Sequence, residues 1–234
     1  MSTLKVNNIQ SFTGADPVTI NDQLVTSGST ATGNFAHAEG DATNASGEFS
    51  HAEGFATTAF SNHSHAEGQQ TKTSGSYSHA EGHFTSTTGS HSHAEGSLSR
   101  TVGNYSHAEG RSSVAIGSYS HAEGRDSTAT GDYSHTEGQD TQTLGTYSHA
   151  EGYGTIASAS YQHVQGKFNA TGSGALMVIG NGTGASPSLR NNLAEFHTSK
   201  FIFDLNSLPT SSAFATTGQL YRTGSGFDEI RIKL

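Results

Sequence analysis

The sequence predicts an all-β protein built as a parallel β-solenoid, and three regularities in the chain predict it. The pentapeptide Ser-His-Ala-Glu-Gly and its near copies recur every 14 residues in ten units. A second glycine falls seven residues before most of the closing glycines and divides each unit into two half-turns. Only 31% of the 234 residues are hydrophobic and 29 are glycine, so a conventional globular core is not expected. A register this strict indicates stacked coils rather than disorder.

The composition limits the classes of function. A net charge of -9 and the lack of any Lys or Arg run argue against a surface for nucleic acid or anionic membrane. No stretch approaches the roughly 18 apolar residues of a membrane span, and the first 30 residues lack the apolar region of a secretory signal. We therefore expect a chain that is made and kept soluble, without membrane insertion. Disulfides and thiolate metal sites are excluded because cysteine is absent.

Residues 1–28 are predicted to form an extended lead-in with two short strands. Its apolar residues are interrupted at Gly14 and Pro17. The stretches Ser2–Gln10 and Pro17–Asp22 resemble the N-termini of tail-fibre-like proteins of tailed bacteriophages. The resemblance implies that this segment attaches the chain to the virion through other tail or baseplate proteins.

Residues 29–166 form the repeat, and their small side chains are predicted to fill the inside of the coil. Residues two apart on a strand share a face, so the Ala and Ser columns of the motif, such as Ala38 and Ser50, project to one side. The equivalent columns of the other half-turn, such as Thr43 and Ala45, are also small. The expected interior is narrow, with hydroxyls that satisfy one another or the backbone. Coils spaced by about 4.8 Å give a body about 48 Å long.

The opposite parity carries three uniform columns, one aromatic or His, one His and one Glu, all expected to project from the same strand face. The other outward face varies freely, as at Lys72 and Val114. A uniform face beside a variable one favours a uniform partner, and the simplest is another copy of this chain. The predicted interface ladder comprises Phe35, His37, Glu39, Phe49, His51, Glu53, His65, Glu67, Tyr77, His79, Glu81, His93, Glu95, Tyr105, His107, Glu109, Tyr119, His121, Glu123, Tyr133, His135, Glu137, Tyr147, His149, Glu151, Tyr161 and His163.

The segment Val114–Gly117 followed by Ser118–Gly124 resembles the YadA-like head repeat of trimeric autotransporter adhesins, a repeat that phage fibres also use. The resemblance implies a left-handed parallel β-roll that forms a homotrimer about its long axis. On that basis the interface ladder becomes a trimer interface.

Residues 167–234 are predicted to form a C-terminal β cap or tip. An apolar strand at Ala175–Ile179 precedes a strand at Phe201–Phe203. A hairpin is expected from Gln219–Arg222 and Phe227–Leu234. The stretch after residue 166 resembles the segment that closes the roll in phage proteins of the same group.

The His and Glu columns favour a structural role over catalysis, because ten equal copies offer no unique environment for a catalytic site. No cofactor is assigned. The candidate metal ligands are His63 and His65, and His91 and His93, in two His-x-His motifs. In a trimer each motif supplies six imidazoles, which suits an octahedral transition metal if this face points at the axis. His63 and His91 would equally serve as replacements for Tyr in the aromatic column.

The sequence therefore predicts a non-enzymatic, homotrimeric phage tail-fibre component of the virion, made in the host cytoplasm. Many weak contacts from a rigid roll to a host cell-surface glycan or protein would add up by avidity. Four alternatives stay open: a bacterial trimeric adhesin head fragment, a carbohydrate-cleaving tailspike, an ice-binding solenoid, and a structural virion protein without host contact. The first is disfavoured by the initial Met and the missing signal, and the second by the lack of paired carboxylates in a unique cleft.

Overall fold

The computed structural model describes residues 24–25, 28–172, 174–204, 220–222 and 230–232. These residues form β-strands and turns, with one short 3-10 turn at Pro187–Leu189. Across the described ranges, no helix has the length and apolar character needed to cross a membrane. The predicted all-β class is confirmed, whereas the two N-terminal strands predicted before residue 24 lie outside the described residues.

Each coil contributes one long and one short strand, which stack into two separate sheets. The larger sheet contains, in stacking order, Leu24–Val25, His37–Asp41, His51–Phe55, His65–Gln69, His79–His83, His93–Ala94, His107–Arg111, His121–Arg125, His135–Gln139, His149–Tyr153, His163–Lys167, Met177–Asn181, Asn192–Phe196 and Phe201–Phe203. The smaller sheet contains Thr30–Ala31, Asn44–Ala45, Thr58–Ala59, Lys72–Thr73, Ser86–Thr87, Arg100–Thr101, Val114–Ala115, Thr128–Ala129, Gln142–Thr143 and Ile156–Ala157.

The 14-residue period is the pairing register itself. Each long strand pairs in parallel with the strand 14 residues later, so that His107 lies beside His121 and Glu109 beside Glu123. The predicted solenoid is thus confirmed. The stack also continues one coil beyond residue 166, because His163–Lys167 pairs in parallel and in the same register with Met177–Asn181. The apolar strand predicted in the cap is the last parallel rung of the roll.

Small side chains fill the interior, as predicted. Ala38, Ala52 and the other alanines of the motif are fully buried, and so are the Thr and Ser columns of the short half-turn. The motif serine closes its own corner, because Ser78 Oγ donates to the carbonyl of Gly75 at 2.5 Å. The same oxygen accepts a hydrogen bond from Thr87 Oγ1 at 3.0 Å. The hydroxyls therefore supply much of the internal polar pairing that so small a core needs.

The two glycine columns differ in backbone conformation. Of the two columns, only the closing glycines have positive φ, between 94° and 112°. At each corner a side chain in the left-handed region follows two residues after the glycine, as at Tyr119 with φ 58° and Asp126 with φ 56°. Glycine at these corners leaves room for the next coil, because a Cβ at Gly117 or Gly124 would overlap one of its carbonyl oxygens. In two coils the half-turn column carries Ser61 and Ala159 instead.

These left-handed residues carry the hydrogen-bond ladder around the corners. At the start of a strand, His121 N–H donates forward to Ser134 O of the next coil at 2.9 Å. At the corner, Tyr119 N–H donates back to Asn104 O of the preceding coil at 2.9 Å, so this corner residue is bonded to the neighbouring coil as well. A non-glycine residue in this conformation costs about 1–2 kcal/mol. Ring stacking in the aromatic column and the recovered backbone bond offset that cost at every coil.

Residues after the last coil close the stack. Arg190 Nη1 donates to Gly154 O at 2.8 Å and Asn169 O at 3.3 Å, and its Nε donates to Ala185 O at 3.0 Å. The strands Asn192–Phe196 and Phe201–Phe203 then add in antiparallel fashion. The predicted C-terminal hairpin is confirmed in its strands, because Leu220–Arg222 pairs antiparallel with Ile230–Ile232. Its turn lies outside the described residues.

Replacing Gly124 with Ala tests whether space at the corner is what the fold requires. Gly124 has φ 100° and Gly172 has φ 83°, so both residues oppose a side chain on conformational grounds. Only at Gly124 would the new Cβ also overlap the neighbouring coil, whereas nothing lies within 4 Å at Gly172. We expect Gly172→Ala to lower the free energy of unfolding by about 1 kcal/mol and Gly124→Ala by several times more.

Thermal unfolding followed by circular dichroism, at one protein concentration for all chains, measures the difference. Equal effects of the two substitutions would contradict the requirement for close approach of the coils.

Candidate functional site

The His and Glu columns of the long strands form one continuous surface, which we call the His–Glu face. Burial alternates along the five-residue strands from His37–Asp41 to His163–Lys167. The His is half-buried, the next residue is buried, and the Glu or Gln after it is half-buried. The side chains of His107 and Glu109 are 37% and 34% exposed to solvent. This face of the single chain is thus partly shielded by its own neighbours and partly open.

The histidines of this face stack as a ladder along the roll. Ring centroids of successive histidines lie between 4.6 and 4.9 Å apart from His37 to His163. The rings are nearly parallel, except for the last pair, His149 and His163, which are tilted by 49°. The coil spacing therefore sets the distance between identical titratable groups.

Within a coil the histidine lies near the glutamate without making a hydrogen bond to it. The distance from Nε2 to Oε2 is 3.5 Å for His51 and Glu53, and 3.9 Å for His107 and Glu109. A direct bond has about 2.7–3.2 Å. Nε2 is shielded from solvent and has no hydrogen-bond partner in each histidine of the ladder, namely His37, His51, His65, His79, His93, His107, His121, His135, His149 and His163.

The pKa is lowered for seven of the ladder histidines. Burial is the larger cause and repulsion from the neighbouring histidine the second, as for His79 beside His93 and for His121 beside His107. Nearby glutamates oppose both effects without cancelling them. The same direction holds for His51, His65, His107, His135 and His149. These imidazoles are mainly neutral near pH 7.

Two neighbouring glutamates of the column have pKa values shifted in opposite directions. Burial, together with hydrogen bonds to Glu109 and Glu137, raises the pKa of Glu123 to about 7. The pKa of Glu137 is lowered, because it accepts hydrogen bonds from Glu151 and Glu123. An open groove of about 550 Å³ runs beside this part of the ladder and ends at Gln165 and Ile179. Sequence reasoning missed this groove, which arises where the Glu column gives way to Gln and then Ile.

The aromatic column lies beside this face, not on it. The sequence placed all three columns on one strand face, but Phe35, Tyr119 and their equivalents occupy the corner before the strand, in the left-handed region. Their rings stack at 4.7–5.3 Å along the roll. The phenylalanines and tyrosines of the column are 49–67% exposed and present ring edges outward. The sequence signal that could have placed this column at a corner is the seven-residue spacing of the corner positions.

His63 and His91 belong to the aromatic column. His63 stacks between Phe49 and Tyr77 at 5.1 and 4.7 Å, and His91 stacks on Tyr105 at 4.7 Å. They are thus separated by a corner from His65 and His93, which lie in the ladder. Groups of three side chains with ligand atoms within 4.8 Å of one another combine two successive ladder histidines with one glutamate, as in His51, Glu53, His65; His65, Glu67, His79; His79, Glu81, His93; His121, Glu123, His135; and His135, Glu137, His149.

The opposite outward face carries variable side chains, as predicted. In the short strands the first residue points outward and the second is buried, as in Lys72–Thr73 and Gln142–Thr143. Lys72 Nζ lies 4.9 Å from the ring centroid of Phe60 in the preceding coil. This face therefore differs in chemistry from coil to coil while the His–Glu face repeats.

Comparison with known proteins agrees with this architecture. A family model described as the YadA head domain repeat matches residues 102–134 in two copies. No curated protein matches the chain. The coils within residues 102–134 are therefore similar to YadA head repeats, and they stack in the same register as the other coils of the roll.

The histidine ladder predicts that acid destabilises the fold. Because the pKa of His79 and its equivalents is below 6.5 in the folded chain, the unfolded chain binds protons first as the pH falls. The stability is fully present above about pH 6.5 and is lost below it. We expect the midpoint of thermal unfolding to fall between about pH 7.5 and 5.5 in buffer with a chelator, measured by circular dichroism. A His63→Tyr, His91→Tyr chain should show the same dependence. A pH-independent midpoint would contradict the lowered pKa values.

The raised pKa of Glu123 predicts the opposite dependence of stability on pH from that of the histidines. The folded chain keeps the proton of Glu123 up to about pH 7, whereas the unfolded chain releases it near pH 4.5. The stability that this proton provides is therefore present below pH 4.5 and is lost as the pH rises to about 7. Gln mimics the protonated form, and Gln165 already occupies this column. We expect Glu123→Gln to raise the unfolding midpoint at about pH 8.5 and to change it little at about pH 5. Glu48→Gln, outside the ladder, is the control. A loss of stability at pH 8.5 would contradict the raised pKa.

Proposed function

We propose that this chain is a homotrimeric, non-enzymatic fibre protein that presents a rigid β-roll for adhesion. The observation that carries the proposal is the contrast between the two outward faces. The His–Glu face and the adjoining aromatic column repeat coil after coil, whereas the short-strand face varies. Only a partner with the same period matches a surface repeating every coil, and a second copy has that period.

The chemistry of the repeated surface supports self-association. The ladder of Nε2 atoms lacks partners within the single chain, and buried polar atoms are normally paired in finished structures. The adjoining aromatic rings are about half exposed. Exposed aromatic area continuous with unpaired polar atoms is typical of an interface. The matched head repeat comes from trimeric adhesins, which supports three copies.

The variable face is the surface proposed for host contact. Its outward residues include Lys72, Arg100 and Gln142 on a rigid scaffold. Three chains, each with many such positions, combine weak contacts into strong attachment by avidity. A host cell-surface glycan or protein is the proposed ligand.

The particular setting we propose is a phage tail fibre. The N-terminal stretches that resemble tail-fibre-like proteins support attachment to tail or baseplate proteins of the virion. A bacterial trimeric adhesin is the second candidate, favoured by the YadA head repeat itself. Both settings use the same trimeric roll.

The solution mass tests the trimer, with light scattering as the measurement. We expect three times the 24.3 kDa of one chain. Negative charges on the repeated surface should lower the mass to that of a single chain, because aspartates would face one another across the interface. The same number of aspartates on the variable face of the same coils should leave the mass unchanged. The interface variant carries Tyr105→Asp, His107→Asp, Tyr147→Asp and His149→Asp, and the control carries Arg100→Asp, Val102→Asp, Gln142→Asp and Leu144→Asp.

Circular dichroism establishes that each variant is folded. A monomeric parent chain would overturn the proposal, as would a control variant that dissociates while the interface variant remains assembled.

Location separates the two settings. Gold-labelled antibodies against the roll should mark the tails of phage particles in electron micrographs of an induced lysate. Labelling of the outer surface of intact bacteria, with unlabelled particles, would favour the adhesin and reject the tail fibre.

A further inference from the structure

We propose that the His–Glu face binds a row of zinc-like transition-metal ions, each held by two successive histidines of the ladder and a glutamate. The site recurs along one chain and needs no residue from another copy. The ligands are therefore complete within one chain, on the same face that is proposed above for self-association.

The first observation is the repeated grouping of ligands. Two imidazole nitrogens and one carboxylate oxygen lie within 4.8 Å of one another in the groups beginning at His51, His65, His79, His121 and His135. Two nitrogen ligands and one oxygen ligand form a set that zinc takes in proteins, with water in the fourth position. Hard cations such as Mg²⁺ prefer oxygen ligands alone.

The second observation is the distance between the histidine and glutamate of one coil. Nε2 to Oε2 distances of 3.5–4.0 Å are too long for a hydrogen bond. Two ligands on one tetrahedral zinc ion stand about 3.4 Å apart, given metal–ligand distances of about 2.0–2.2 Å. By contrast, His197 Nε2 in the cap lies 2.9 Å from Glu195 Oε2 and makes the direct bond. The ladder pairs thus have room for an ion between them.

The third observation is that the nitrogen ligand has no other partner to lose. Nε2 of each ladder histidine is removed from solvent and unpaired. A metal ion would satisfy it without breaking an existing bond. An ion between the strands would also offset the repulsion among glutamates that stack at the coil spacing.

Binding requires neighbouring rings to converge. The ring centroids of successive histidines lie 4.6–4.9 Å apart. To share one ion, two neighbouring rings must rotate about their side-chain bonds until their Nε2 atoms are about 3.4 Å apart. The tilt of 49° between His149 and His163 shows that rings in this column depart from parallel stacking. Each Nε2 has one lone pair, so an ion occupies every second interval. The non-overlapping groups at His51 and His65, His79 and His93, and His121 and His135 give at least three ions per chain.

The test is to refold the full chain with a modest excess of ZnCl₂, dialyse it, and measure bound zinc by plasma mass spectrometry. We expect at least three zinc ions per chain and a higher unfolding midpoint than after refolding with a chelator. MgCl₂ should give neither effect. Refolding in the presence of the metal ensures that an assembled interface does not block entry.

Two variants with the same number of histidines removed locate the site. His65→Gln with His93→Gln interrupts the ladder and should lose two ions per chain. His63→Tyr with His91→Tyr restores the common residue of the aromatic column and should lose none. Equal loss in both variants would assign the metal to the His-x-His motifs and overturn the proposal. Absence of retained zinc in the refolded parent would overturn it as well, whatever mass light scattering finds for the assembly.

Discussion

The close approach of successive coils is the constraint on which the rest of this structure depends. Parallel strands stack at the hydrogen-bonding distance of a β-sheet, and both glycine columns exist because a Cβ there would overlap a carbonyl oxygen of the next coil. Ala, Ser and Thr fill most of the interior because the space between the two layers is narrow, and larger buried residues such as Gln162 and Asn169 occur at its C-terminal end. Backbone ladders and buried hydroxyl pairs, rather than a large apolar core, hold the coils together.

The same constraint turns one pentapeptide into continuous surfaces. A histidine repeated at every coil becomes a stack of imidazoles, and a glutamate becomes a row of carboxylates in which the pKa of Glu123 rises to about 7. The stacking shields Nε2 and lowers the pKa of the histidines, while it raises the pKa of a central glutamate. Charge and polarity on this face are therefore collective properties of the ladder, not of a single residue.

Adhesion and metal binding make different demands on this scaffold. Self-association uses the whole length of the repeated surface, including the aromatic corner, whereas a metal ion needs only two neighbouring coils. The short-strand face is free to vary because its side chains point away from the interior. A roll of this kind separates a constant surface for assembly from a variable surface for contact.

Much of the fold could be predicted from residue pattern alone, because the 14-residue period is the strand register and small columns can only face inward. The corners could not, since the left-handed conformation at Tyr119 or Asp126 follows from the path of the chain between two strands and not from residue preference. The last coil also escaped the motif, because Met177–Asn181 keeps the register without the sequence.

At the candidate site the sequence determined which residues repeat on the His–Glu face and that ten equal copies exist. The tertiary structure decided their chemistry. It moved the aromatic column and His63 to a corner, left each ladder Nε2 without a partner, and set His to Glu at 3.5–4.0 Å. Spacing along a chain specifies which residues align, whereas the corner geometry and the coil distance specify how close their atoms come.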